Sequence, residues 1–254
     1  MKTDIQLLRN ATVVINTTGL QLLVDPMFSA KEHLDPIPWS DDRRNPLVDL
    51  PVSKEMLQNI INSTDVILLT HLHPDHWDEE AVALLPKTMQ VICQPEDEPV
   101  LRAQGFCNLI TTEQSLCNHV LVERVSAQHG HGELLDKLSP ASGFVIQSPH
   151  QTIYVTGDTV WGESLKHNLQ RFQPDVIIAN SGAAQFSFGE PVTLNKEDVL
   201  QMLSACKPHA TVVIVHMEAV NHCRLTRSEL QDFLKPHQFT QTVLIPLDGE
   251  FIEV

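Results

Sequence analysis

The stretch DVILLTHLHPDHWD, residues 65–78, decides how the chain is read. It passes from an apolar segment at 66–69 straight into His71, His73, Asp75, His76 and Asp78. An uninterrupted apolar run of this kind suits a strand buried on both faces. Residues two apart on an extended chain point the same way, so His71 and His73 present both imidazoles to one ion. Pro74 stops the strand and turns the chain. Asp75 and His76 follow at the start of a helix, within reach of a second ion close by. Imidazole plus carboxylate is a donor set for zinc or a neighbouring first-row metal. A solvated histidine-rich loop is the bland alternative, but four donors at this spacing behind a buried strand favour the metal.

Similar apolar runs recur outward from this stretch, each ending in a polar residue. LLVD ends at Asp25, TIYVTGD at Asp158, DVIIAN at Asn180 and TVVIVH at His216. Helices are expected between them, at roughly 78–85, 162–171, 195–205 and 227–235. The last opens on a capping box from Thr226 to Glu229 and stops at Pro236. Alternating strands and helices argue for a layered α/β architecture. LLRNATVVINTTGLQLLVDP differs, reading as strand, turn and strand around Thr18-Gly19, so mixed sheets are expected rather than purely parallel ones. The polar strand ends converge on one rim, where a rigid scaffold positions functional groups. Residues 29–50 carry no periodicity and read equally as a lid over a site or a surface excursion.

The chain has 254 residues, 32 acidic and 17 basic, for a net charge of −15. That field disfavours nucleic acid and anionic membrane surfaces as partners. No stretch approaches the ~20 apolar residues of a membrane span, and the first residues lack the apolar core of a signal peptide. The five cysteines form no C-x-x-C pair and read as reduced thiols of a cytoplasmic protein. One domain over 1–254 is expected. A homo-oligomer stays open.

Taken together, THLHPDHWD, the QHG around His129, VTGDT around Asp158 and VIVH at His216 resemble the metallo-β-lactamase fold superfamily. The branch of ascorbate-6-phosphate lactonase and related cytosolic hydrolases is the one it looks most like. The resemblance implies a four-layer αβ/βα sandwich of two mixed β-sheets with a site along one edge. It also implies two divalent ions, zinc or else manganese or iron. His71, His73 and His129 would hold one, Asp75, His76 and His216 the other, and Asp158 would bridge them. AQHGHG offers His131 beside His129, and HMEAVNHC offers His222 beside His216, so both choices stay open at this point.

The function so implied is a metal-dependent hydrolase, in which a hydroxide bridging two metals cleaves a small ester, lactone or phosphoester. Asp75 would also relay a proton to the leaving group. Asp25 would orient a histidine, or else merely end a strand before Pro26. His131, His222, Asn180, Arg43 and Arg44 are candidate contacts to a small substrate, anionic ones included, and the helix starting near Asp78 would turn its positive end to an anion there. Trp77 and Trp161 read as core packing rather than pocket walls. Pro74 stands where the diiron oxygen-reducing relatives carry a glutamate ligand, which disfavours redox chemistry. The alternatives are a phosphodiesterase or nuclease of the same fold, and a metal-containing protein that binds a ligand without turnover.

Overall fold

The computed structural model describes residues 3–138 and 140–254. The first sheet takes β1 (Asp4–Arg9), β2 (Thr12–Thr17), β3 (Leu20–Val24), β4 (Val66–Leu68), β5 (Gln90–Ile92) and β6 (Leu109–Ile110). The second takes β7 (Gln114–Cys117), β8 (Val120–Ala127), β9 (Ala141–Gln147), β10 (Thr152–Val155), β11 (Val176–Asn180), β12 (Thr211–Val215) and β13 (Thr242–Leu244). The chain then returns to edge the first sheet with β14 (Phe251–Glu253), giving the orders β14-β1-β2-β3-β4-β5-β6 and β13-β12-β11-β10-β9-β8-β7. Both sheets are mixed. Strands β3 to β6 pair in parallel and β14, β1, β2 and β3 antiparallel. In the second sheet β10 to β13 are parallel and β7 to β10 antiparallel.

The layering follows from strand alternation. Leu22 and Val24 of β3, Val66 and Leu68 of β4, Val176 and Ile178 of β11 all enter the core between the sheets. Their neighbours Leu23 and Ile67 face outward onto α1 (Lys54–Ser63), α2 (Glu79–Leu84) and α3 (Glu98–Ala103), through Leu57, Ile61, Ala81 and Leu101. Ile177 and Ala179 face the other way. They meet α5 (Glu163–Phe172), α6 (Lys196–Ala205) and α7 (Arg227–Leu234), which follow α4 (Gly132–Lys137) in the chain. The result is the four-layer sandwich of two mixed sheets that the motifs imply, because every buried strand has apolar side chains to give to both faces.

The four expected helices form within a residue or two of their expected ends, and α7 carries the Thr226–Glu229 capping box. One expectation is corrected. The amino end of α2 is not open to an anion, because the Asp78 carboxylate fills it, accepting from Ala81 N–H at 2.8 Å and Ser29 N–H at 2.7 Å. The 29–50 segment is tied down at several points. The buried Arg9 guanidinium donates to the carbonyls of Met27, Ser29 and Val48. Asn221 accepts from Ile37 N–H and Asn45 Nδ2 and donates to the Asp41 carbonyl. No helix among the described residues is long and apolar enough to cross a membrane.

Candidate metal centre

Strands β8, β10, β11 and β12 run the same way, since β9 lies antiparallel between β8 and β10. Their carboxyl ends therefore share one edge, and His129, Asp158, Asn180 and His216 sit at or just past those ends. His71 follows β4 and Asp25 follows β3 on the first sheet. Two backbone hydrogen bonds clamp the sheets together here, His216 N–H to the Asn10 carbonyl at 2.9 Å and Ser142 N–H to the Thr70 carbonyl at 3.0 Å. Asp25 and His216 both take left-handed backbone, φ +44° and +63°. Such residues cost about 1–3 kcal/mol each and persist where their surroundings fix them.

Seven side chains meet at this edge. His71 Nε2 lies 2.9 Å from His73 Nδ1, which lies 3.3 Å from His129 Nε2. His76 Nε2 and His216 Nε2 are 3.2 Å apart, and Asp75 Oδ2 is 3.1 Å from His216 Nε2. Asp158 sits between the groups: Oδ2 is 3.4 Å from His76 Nε2 and 3.7 Å from His129 Nε2, and Oδ1 is 3.6 Å from His216 Nε2. Three triads each have their donor atoms within 4.8 Å of one another: His71–His73–His129, His71–His76–Asp158 and Asp75–His76–His216. His73 is half-buried, and the other six are buried.

The partners on the outer side fix which nitrogen faces inward. His129 Nδ1–H donates to the Val192 carbonyl at 2.9 Å, leaving Nε2 as an inward lone pair. Asp25 accepts from Thr70 N–H at 2.8 Å and Thr70 O–H at 2.7 Å, and faces His76 Nδ1 at 2.8 Å. The Thr70 hydroxyl, having donated to Asp25, accepts from His71 Nδ1–H at 3.0 Å. His71, His76 and His129 are thereby held with Nε2 pointing into the cluster, as metal ligation requires.

The electrostatics call for positive charge at the same place. Burial would raise the Asp75 and Asp158 carboxyls, but the imidazoles around them outweigh it and hold both well below the usual carboxylate range. Burial would lower His76, but Asp158, Asp75 and Asp25 push it up to about 10, and Asp158 and its neighbours raise His216 in the same way. Burial and the neighbouring imidazoles push His73 down to about 4 and lower His71. Burial also lowers His129. One group thus offers neutral lone pairs. The other offers carboxylates that draw either protons or a cation, and metal entry there displaces protons. The donor set fits divalent metal.

The remaining candidates are spread around this cluster. Asn180 Nδ2 donates to Asp158 Oδ1 at 2.7 Å, steadying that carboxylate. His222 is buried beside His216, ring centres 6.3 Å apart. His131 stands apart, exposed just before α4, with Nε2 3.9 Å from Glu190. It is His129, and not His131, that the structure brings to the donors; likewise His216, with His222 alongside. Arg43 is held by Asp41 at 2.7 Å and Arg44 by Asp35 at 2.5 Å, both within the 29–50 segment. Trp77 packs on Phe106, with its indole N–H on Gln104, and Trp161 packs against the outer core of the second sheet.

Sequence reasoning passed over three contributors. Thr70 links Asp25 to His71 from inside the motif itself. Cys223 puts Sγ 3.4 Å from His216 Nδ1, and its only sequence signal is its place seven residues on. The Val192 carbonyl carries no side-chain signal at all.

With this geometry in place, the chain belongs to the metallo-β-lactamase superfamily, as a metal-dependent hydrolase: the family described as the beta-lactamase superfamily domain matches residues 21–217. Among its relatives is the UPF0173 protein YddR of Bacillus subtilis (strain 168), 36% identical over 97% of this chain and 98% of that one. The crystal structure of isothiocyanate hydrolase from Delia radicum gut bacteria is similar at 38% identity and TM-score 0.91, covering 98% of both chains. That of a possible metal-dependent hydrolase from Veillonella parvula DSM 2008 is 30% identical with TM-score 0.93, covering 99% of both.

Proposed function

We propose that the chain hydrolyses a small molecule at an electrophilic centre, an ester, lactone or phosphoester, with two divalent ions held by the seven converging side chains. His71, His73 and His129 would hold one ion, Asp75, His76 and His216 the other, with Asp158 shared. Zinc is the first choice and manganese or iron the alternatives. The observation that carries this is Asp158, whose two carboxylate oxygens face His76 and His129 on one side and His216 on the other. Bound ions would supply Lewis acidity and an activated water.

The chain's own residues do the rest. Thr70, Asp25 and the Val192 carbonyl hold three imidazoles in their inward tautomers. Asn180 fixes the orientation of Asp158 by donating to Oδ1. The Asp75 carboxylate, held ionised beside His216, accepts a proton during attack and passes it to the leaving group. The five unpaired cysteines suit action in the cytoplasm, as one domain over 1–254.

A second reading is favoured by the 38% identity to an isothiocyanate hydrolase over nearly the whole chain. On it the electrophile is the central carbon of R–N=C=S, and one water taken up releases R–NH2 and carbonyl sulfide. A panel separates the readings: lactones, p-nitrophenyl esters, bis-p-nitrophenyl phosphate, a short oligonucleotide and alkyl isothiocyanates, each with zinc- and manganese-loaded chain. Chelator-sensitive turnover of a small molecule is expected. Stoichiometric metal with no turnover of any class would replace hydrolysis with simple ligand binding, and turnover of the oligonucleotide alone would replace it with a nuclease.

A further inference from the structure

A line of rings runs from the buried donors to the surface. His216 is fully buried, and His222, its neighbour at 6.3 Å, is 5% exposed. Phe186 stacks on His222 with centres 6.2 Å apart and is 8% exposed. Phe188 and Trp39 then pack on Phe186 at 6.0 and 6.1 Å and on each other at 5.6 Å. They are 45% and 64% exposed. Large apolar side chains that cluster in the open beside a site mark binding rather than folding.

Three further observations say what this wall receives. Trp39 sits in left-handed backbone at φ +60°, and its carbonyl is pinned by Ser187 N–H at 2.6 Å. The fold therefore holds an exposed indole in place against its own backbone preference. Within the wall His222 Nδ1 is buried and has no hydrogen-bond partner among the described residues. A buried polar nitrogen left so is a place for a ligand atom. Finally, the cations of the neighbouring 29–50 segment are already engaged, and Arg224 Nε is taken by the Gln185 carbonyl. Lys31, Arg43 and Arg44, the basic residues of the 29–50 segment, each face a carboxylate: Glu32, Asp41 and Asp35.

We infer that Trp39, Phe186 and Phe188 form a subsite for the apolar or aromatic substituent of an uncharged substrate, with His222 at the junction between that substituent and the reacting group. This rests on the hydrolase reading, and names its substrate class as neutral and hydrophobic rather than anionic. Phe186 belongs to the packed cluster of Leu134, Ala184 and Val192, so it anchors the wall from below, and the two exposed rings do the selecting.

The test uses the metal-loaded full chain. The ratio of kcat/KM for benzyl over methyl isothiocyanate is measured in the wild type and in Trp39→Ala with Phe188→Ala. Ring contacts of this kind are worth roughly a factor of ten, so the ratio falls about tenfold, through KM, in the double variant. Leu116→Ala, an exposed apolar side chain on β7, leaves the ratio alone. An unchanged ratio in the double variant overturns the subsite, and so does a wild type that prefers bis-p-nitrophenyl phosphate to benzyl isothiocyanate. Should the wild type turn over no substrate, saturation-transfer NMR of phenethyl alcohol decides. Binding lost in the double variant keeps the subsite while the hydrolase reading falls; binding retained there removes the subsite itself.

Discussion

The two sheets build the donor cluster by opposite routes. The first gives His71, His73, Asp75 and His76 from six consecutive residues after one short strand. The second gives His129, Asp158 and His216 one at a time, past the ends of β8, β10 and β12, with up to 57 residues of chain between successive donors. A contiguous motif depends on a local turn. A dispersed set depends on strand order and on the packing of one sheet against the other. The difference teaches where the site is robust: the dispersed half exists only while the whole sandwich holds its register.

The largest expected break is within the contiguous half. His71 appears in two of the three donor triads, so His71→Ala should leave no detectable chelator-sensitive turnover, measured on whichever panel substrate the wild type accepts. Next is the tether beneath it. Asp25 is buried and binds Thr70 twice and His76 once, so Asp25→Ala should weaken metal retention about 10–100-fold in a chelator competition. Cys223→Ala should weaken it less, since a thiol 3.4 Å from His216 Nδ1 is a poorer partner than the carboxylate that holds His76. Equal losses would mean that the two halves are tethered alike.

Another probe lies away from the donor cluster. Burial pushes the Asp97 carboxyl up to about 6, and its Oδ2 has no partner among the described residues. A carboxyl raised in the folded state favours folding while protonated, and that contribution is lost as pH rises through 6. Asp97→Asn does not titrate, so thermal unfolding should show its advantage over the wild type widening from about pH 4 to pH 6 and levelling off above that. The smallest effect belongs to the capping box of α7. Thr226→Ala should cost about 1 kcal/mol, a Tm shift of about 2–4 °C, with metal content unchanged.

Much of this was legible in the sequence for the same reason that the first half is robust. Pro74, the i and i+2 histidines and the apolar run before them state a strand, a stop and a shared direction in one line of text. Asp158, Asn180 and His216 were visible as polar ends of apolar runs, because strands buried on both faces leave polar side chains only where they emerge. The motif resemblance favoured His129 over His131, but the physical reason needed three dimensions, where the Val192 carbonyl, 63 positions away, aims the His129 ring inward. The antiparallel strands β7 to β9 carry charged and small residues such as Glu123, Arg124 and Gly143, which blur the apolar pattern. Arg43 and Arg44 read in the sequence as candidate contacts to substrate. Their partners Asp41 and Asp35 lie a few residues off, and only the folded loop pairs them.

The most direct test of the central claim is metal content per chain, measured by inductively coupled plasma analysis on wild type and Asp158→Ala after loading with zinc and removing excess ion. Two ions per wild-type chain, and loss of both sites' occupancy in the variant, are predicted. A wild type that holds none, or an Asp158→Ala chain that still keeps two, would contradict it.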